Sequence, residues 1–289
     1  MRLGSVLVGG RRTIAVAEGS RIVDLGAAAP HAPASLKELL GAGPAALQQA
    51  AAAAKAAPAS ATLHEGSFTW LPLLENPAKI LCLGLNFAEH AAEGGHDKPS
   101  YPIFFARFNT TLVAHEAPLI RPRASEQFDY EGEMAVIIGQ RARHLTEANA
   151  FSAVAGYSIF NDGSVRDYQR KTSQWTVGKN FDGSGGFGPW MVTTDELAPG
   201  ATGLRLQTRL NGKVMQDANT TDMVFSVLET LVTISEVLTL EPGDVISMGT
   251  PSGVGFARKP PVFMRHGDVC EIEIEKIGLL RNPIADERG

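Results

Sequence analysis

Two cysteines, Cys82 and Cys270, are all the thiol this chain has. They form no Cys-x-x-Cys pair and have no histidine at metal-ligand spacing, so a thiol-built metal site lacks its ligands. Buried thiols in a cytoplasmic protein are the expectation. Long apolar runs are missing as well. None approaches the roughly 20 residues that a membrane-spanning helix needs, and the start, MRLGSVLVGGRRTIAV, has no long apolar core before a cleavage site. A basic surplus is also absent. Lys and Arg number 26 against 31 Asp and Glu, a net charge of −5, and no basic block or basic aromatic platform occurs, which argues against nucleic acid as a partner. No glycine-rich loop ends in Gly-Lys-Ser/Thr, so there is no Walker site. What remains is ordinary for a water-soluble fold: 289 residues, 44% hydrophobic and 20% charged. That suits one large domain, or a large one with a small companion.

Residues 1 to about 25 alternate apolar and polar around Gly9-Gly10 and Gly19-Ser20, which predicts short strands joined by tight turns. Residues 34–56 carry helix formers, with Ser35 as an N-cap. Pro58, Pro72 and Pro77 then punctuate the chain, and a boundary is placed there, giving a small domain over 1–72 and a catalytic one over 73–289. His31 and His64 stand alone in the first part and read as solvated. From Lys79 the texture changes. KILCLGL predicts a buried strand ending at Gly84, and Asn211-Gly212 a hairpin turn. Asp222–Leu240 predicts an amphipathic helix starting near Asp222. CEIEIE alternates strictly, so Glu271, Glu273 and Glu275 are assigned to a solvent face rather than to a metal.

The chemistry concentrates in the second part. Glu131 and Glu133 lie two apart at the head of MAVII and would share one face of a strand. Either a hard divalent cation offsets their charge, with Asp162 as a third oxygen donor, or they are solvated acids on a strand edge. His90 and Glu93 sit three apart on a helical turn, either as an imidazole–carboxylate base on a lid flanked by Gly94-Gly95 or as a surface ion pair. Arg107 lies between Phe105 and Phe108, either reaching outwards to water or clamping a substrate carboxylate. Lys179 precedes the glycines of 183–188 and either faces an oxyanion or sits on the surface.

Taken in order, GLNFAEHAAE (84–93), PIFFAR (102–107), DYEGEMAVIIG (129–139), NDGSVRDYQ (161–169), GKNFD (178–182), GPW (188–190) and GTPSGVG (249–255) resemble the fumarylacetoacetate hydrolase family. The likeness is to its two-part members with a short N-terminal region, and it covers about 79–285. It implies a β-rich α+β fold of layered mixed sheets with a small N-terminal α/β region, and a homodimer. It also implies Mg²⁺ or Mn²⁺, and admits Ca²⁺, on Glu131, Glu133 and Asp162. His90 and Glu93 match the family's base and Lys179 its electrostatic lysine. Arg107, Arg166, Gln169 and Thr250 match substrate-lining positions. Arg107 stands where the family often has Lys, and Phe87 where it commonly has Tyr.

The activity implied is metal-dependent cleavage of a C–C bond in an acylpyruvate or other 2,4-dioxo acid. His90, assisted by Glu93, activates water against the 4-carbonyl, Lys179 offsets charge developing on oxygen, and C3–C4 cleavage yields pyruvate and a carboxylic acid. The same enolate chemistry would serve an oxaloacetate decarboxylase, a tautomerase, a 2-hydroxymuconate-type isomerase or a 2-oxo-acid lyase. A reading of another class is a catalytically silent metabolite-binding protein.

Overall fold

The run Gly132–Ile138 is buried at every position, and its alternating side chains enter two different cores. Met134, Val136 and Ile138 join one, Ala135 and Ile137 the other. A strand apolar on both faces belongs in the middle of a sheet covered on both sides, and that is where the computed structural model, which describes residues 1–288, has it. On one side it pairs antiparallel with Val154–Asn161, Glu133 lying opposite Phe160. On the other it pairs antiparallel with Val245–Ser247, which runs parallel to Ile80–Gly84. Burying each Val or Ile of such a strand stabilises the fold by about 1.5–3 kcal/mol.

A five-stranded sheet covers one face of this central sheet. Its Leu206, Ile272, Ile274 and Leu280 share a core with Met134 and Val136. The helices Leu36–Gly41 and Pro44–Ala56 cover the other face, where Leu36, Leu39 and Ala50 share a core with Ala135 and Ile137. The layers make the β-rich α+β fold that the sequence implies. Ser35 caps the first helix, its Oγ accepting from the Glu38 N–H at 3.2 Å. The N-terminal strand Arg2–Val8 adds to the same central sheet through Leu3 opposite Met191. One sheet thus runs across the position, 72/73, where the sequence suggested a boundary, while all candidate site residues come from after it.

The hairpin at Asn211-Gly212 joins Arg205–Leu210 to Lys213–Asn219 as expected. In Val269–Ile274, Cys270, Ile272 and Ile274 are buried while Glu271 and Glu273 face outwards to Arg209. Cys82 and Cys270 are both buried and free. The helix expected from Asp222 begins later, at Val227. Ser226 and Glu229 form its capping box, whereas Asp222 closes a separate box with Asn219 over the turn Thr220–Asp222. Two competing caps lie in one stretch, and the second starts the α-helix. Among the described residues no helix is long and apolar enough to cross a membrane.

Candidate active site

Glu133 has the parity of Ala135 and Ile137 and so points to their side of the sheet. Glu131 immediately precedes the strand, and its carbonyl accepts from the Asp162 N–H at 2.9 Å, where the partner strand ends. The two strand ends therefore bring three carboxylates together. One oxygen from each of Glu131, Glu133 and Asp162 lies within 4.8 Å of the others, and all three residues are buried. The cationic partners are buried too. Lys179 Nζ donates to Glu131 at 2.6 Å and to Asp162 at 2.7 Å. Arg166 reaches Glu131 at 2.6 Å through Nη1 and Asp129 at 2.8 Å through Nε. Arg107 bonds Asp162, the Gly163 carbonyl and Ser184 Oγ.

Charge in this cluster is uneven. Four buried carboxylates, with Asp129 the fourth, face three buried cations, Arg107, Arg166 and Lys179. Burial raises Glu131's pKa, but Lys179 and Arg166 beside it outweigh burial and hold the group well below the usual carboxylate range. Glu133 goes the other way. Burial pushes it well up, the Asp162 and Glu131 carboxylates push it further, and Lys179 and the Ser247 hydroxyl (2.5 Å) offset only part. Burial works against charge on Lys179 as well, yet Asp162 and Glu131 outweigh it, so the ammonium is held. A hard divalent cation among these oxygens reverses the penalty on Glu133. Three carboxylates and no sulfur or imidazole ligand are the donor set that Mg²⁺ and Mn²⁺ favour, and the surplus negative charge fits such an ion.

The short helix Ala88–Glu93 aligns His90 with Glu93, Nδ1 lying 2.8 Å from the carboxylate. Glu93 in turn accepts from the Gly253 N–H at 3.0 Å. A carboxylate on Nδ1 fixes the tautomer and leaves Nε2 free. His90 lines a cavity of about 510 Å³ together with Glu131, Glu133, Arg166, Lys179 and Thr250.

One loop holds three of the acids. Along Gly249–Phe256, backbone N–H groups donate to Glu133 from Gly249, to Glu93 from Gly253, and to Asp129 from Gly255 and Phe256. Gly249 (φ +87°) and Gly253 (φ +99°) adopt the left-handed region that other residues avoid. A Cβ on Gly253 would lie 2.2 Å from the Met215 carbonyl. From the same loop Thr250 Oγ1 donates to the Gly132 carbonyl at 3.1 Å and accepts from Gln216 at 2.8 Å.

Of the sequence-predicted residues, His90, Glu131, Glu133, Arg166, Gln169, Lys179 and Thr250 line the cavity. Glu93 and Asp162 stand directly behind, bonded to His90 and Lys179. Arg107 takes neither orientation considered for it. Its side chain is wholly buried behind Asp162, where it steadies that carboxylate from outside the cavity wall. Sequence reasoning passed over Asp129 as a partner of Arg166, and Ser247, Arg170, Trp175 and Phe256 altogether. For Asp129 the available signal was the glycine-rich GTPSGVG loop, whose amides need acceptors.

Residues 79–285 match the family model described as fumarylacetoacetate (FAA) hydrolase C-terminal. Over 270 residues the chain is 38% identical to the mitochondrial oxaloacetate tautomerase fahd2 of Xenopus laevis, spanning 92% of this chain and 83% of that protein. Fumarylacetoacetate hydrolase from psychrophilic Exiguobacterium antarcticum shares the fold with a TM-score of 0.86 at 34% identity, over 99% of this chain and 100% of that one. Maleylpyruvate hydrolase from Sphingobium sp. SYK-6, solved with manganese(II) and pyruvate, does so with a TM-score of 0.81 at 26% identity, over 100% of both chains. By its motifs, its layers and these matches, the chain belongs to the fumarylacetoacetate hydrolase family.

Proposed function

We propose that this protein is a divalent-cation-dependent enzyme that moves a proton at C3 of a small 2-oxo diacid, with keto–enol tautomerisation of oxaloacetate as its principal reaction. The observation that carries the reading is the His90–Glu93 pair at the cavity that also holds the carboxylate triad. The identity to an oxaloacetate tautomerase favours this chemistry over the C–C hydrolysis that the motifs alone put first.

Glu131, Glu133 and Asp162 would hold a Mg²⁺ or Mn²⁺ ion, which would supply Lewis-acid polarisation of the 2-oxygen. His90 takes the C3 proton at Nε2. Glu93, accepting from Nδ1–H, stabilises the imidazolium that forms. The electron pair left at C3 becomes the C2=C3 bond, and the His90 imidazolium gives its proton, directly or through water, to the 2-oxygen, which completes the enol and restores the neutral imidazole. Lys179 and Arg166, kept charged by their carboxylate partners, favour the anionic form of the substrate. Arg107 holds Asp162 in place. Gln169 accepts from Arg166 at 2.9 Å, orienting the guanidinium at the cavity. Thr250 offers its hydroxyl from the loop.

A second reading is hydrolysis of an acylpyruvate, with His90 activating water instead of taking the C3 proton. It is favoured by the solved maleylpyruvate hydrolase and by an adjoining pocket where Leu85, Phe104, Phe105 and Trp175 meet His96, Ser173 and Gln174, which has room for an acyl tail. The proposed working unit is a homodimer in a reducing compartment, where the free thiols of Cys82 and Cys270 stay reduced; the similar oxaloacetate tautomerase is mitochondrial, which counts against the cytoplasm expected from the sequence.

The test follows the ultraviolet absorbance of enol oxaloacetate while pyruvate release is measured in parallel, with Mg²⁺, Mn²⁺ or a chelator. Accelerated enol–keto conversion that needs the ion and releases no pyruvate supports the tautomerase. Faster pyruvate release from acetylpyruvate or maleylpyruvate replaces it with the hydrolase. Pyruvate released from oxaloacetate alone replaces it with a decarboxylase.

A further inference from the structure

Three cationic side chains line the cavity, and two of them are committed. Lys179 is bonded to Glu131 and Asp162, and Arg166 to Asp129 and Glu131. The third, Arg170, has no carboxylate and no hydrogen-bond acceptor among the described residues. It caps the single helical turn Arg166–Gln169, its N–H donating to the Arg166 carbonyl at 3.2 Å. Four residues apart, the two arginines project from one side of that turn. Both guanidiniums lie against the ring of Phe256, at 4.6 Å for Arg166 and 4.2 Å for Arg170. Arg166 is buried, whereas Arg170 is exposed and so stands at the cavity rim.

This arrangement has a cost that the Phe256 ring and the more distant Asp129 carboxylate offset only in part, because neither takes a hydrogen bond from Arg170. Two like charges at this spacing repel. Partial burial and the neighbouring Arg166 lower the pKa of Arg170. The Phe256 ring attracts both cations and holds the Arg170 fork in place, but a ring supplies no acceptor for its N–H groups. A planar guanidinium with free donors matches a carboxylate bidentately.

We propose that Arg170 is the receptor for the distal carboxylate of the substrate, and that it makes this site select 2-oxo diacids over monoacids of the same length. The inference rests on the 2-oxo-acid reading above and narrows its substrate class. The head of the substrate, its 1-carboxylate and 2-oxygen, lies with the acidic cluster and Arg166, and the far carboxylate meets Arg170 at the rim. Oxaloacetate carries such a far carboxylate, one methylene beyond its 2-oxo carbon.

The test is binding rather than turnover. Calorimetry with the Mn²⁺-loaded protein compares L-malate with 2-hydroxybutanoate, which has four carbons too but a methyl in place of the far carboxylate. Wild type is expected to prefer malate roughly ten- to a hundredfold, the scale of one charge-assisted bidentate contact. Arg170→Met should bring the two ligands to within about threefold by weakening malate alone, and Arg170→Lys should keep an intermediate preference. Equal weakening of both ligands in Arg170→Met, or a malate preference that survives it, overturns the inference. So does a wild type that shows no preference. An Arg170-dependent malate preference in a protein that turns over no oxaloacetate would sink the tautomerase reading and leave this one standing. Oxaloacetate turnover with an unchanged preference in Arg170→Met would do the reverse.

Discussion

Asp24 and Glu133 are both buried carboxylates, and the regions around them treat charge in opposite ways. Asp24, in the N-terminal part, accepts from Thr13 Oγ1 at 2.7 Å, from the Ala27 N–H at 3.2 Å and from Arg11 at 2.5 Å. Burial alone would raise its pKa, but these donors outweigh burial and hold the group below its ordinary value. Every donor comes from the chain itself, so this acid is complete as folded. Glu133 has only a hydroxyl and one amide on one of its oxygens, and two further carboxylates beside it. The same physics of desolvation therefore gives a structural acid in one region and an unfinished one in the other. A carboxylate cluster suited to a cation is recognised by what its own side chains leave unbalanced.

The comparison breaks most visibly if the triad is altered. Asp162→Asn or Glu133→Gln should abolish cation-dependent turnover, a loss of at least about a thousandfold, because the ion's charge stabilisation goes with its ligands. The same variants should lose the rise in melting temperature that Mn²⁺ gives wild type, about 2.7 kcal/mol of stabilisation at a hundred times Kd. A variant that keeps both effects contradicts the assignment.

His90→Ala should lower turnover by roughly a hundred- to ten-thousandfold while Mn²⁺ affinity stays within a few-fold, read by steady-state kinetics and calorimetry on the same sample. Gly253→Ala should act more mildly on the same pair. Its left-handed backbone and the nearby Met215 carbonyl strain the loop by about 1–3 kcal/mol and pull the amide away from Glu93. Chemical denaturation and kcat, both reduced, would show it.

Asp24→Asn should have the smallest effect and leave activity alone. It should cost roughly 1–2 kcal/mol of stability at neutral pH, on the scale of a hydrogen bond to a charged group, reduced because Arg11 is half exposed. The sign with pH follows from a folded pKa that lies below the unfolded one. The stabilisation is fully present above the ordinary value of 3.8 and is lost as pH falls through the folded value. Denaturation curves of the two proteins should therefore converge in strong acid. A difference that grows there would contradict the role given to Asp24.

How much of this was legible in the sequence depended on the range of the contacts involved. Short-range patterns were readable. The spacing of His90 and Glu93 placed them on one helical turn, Ser35 was an N-cap, and Glu131 and Glu133 preceded a β-branched run that is a buried strand. Long-range partners were not. Arg107 meets Asp162 across 55 residues of chain, and the amides of the Gly249–Phe256 loop meet Asp129 across 126 and 127 residues. Spacing carries no record of such pairings. The unpaired state of Arg170 was hidden for the same reason, since it is defined by the absence of a partner from the whole surrounding fold. The later start of the helix at Val227 was a local matter, decided between two capping boxes close enough in sequence to compete.

The most direct test of the central claim, that the buried acids are built around a divalent cation, is calorimetric titration of Mn²⁺ into chelator-stripped protein in buffers of different ionisation enthalpy. The account predicts one ion bound per chain with release of protons, because Glu133 is pushed towards its protonated form until the ion arrives, and it predicts loss of that binding in Glu133→Gln. No saturable binding to wild type, or equal affinity in Glu133→Gln, would contradict it.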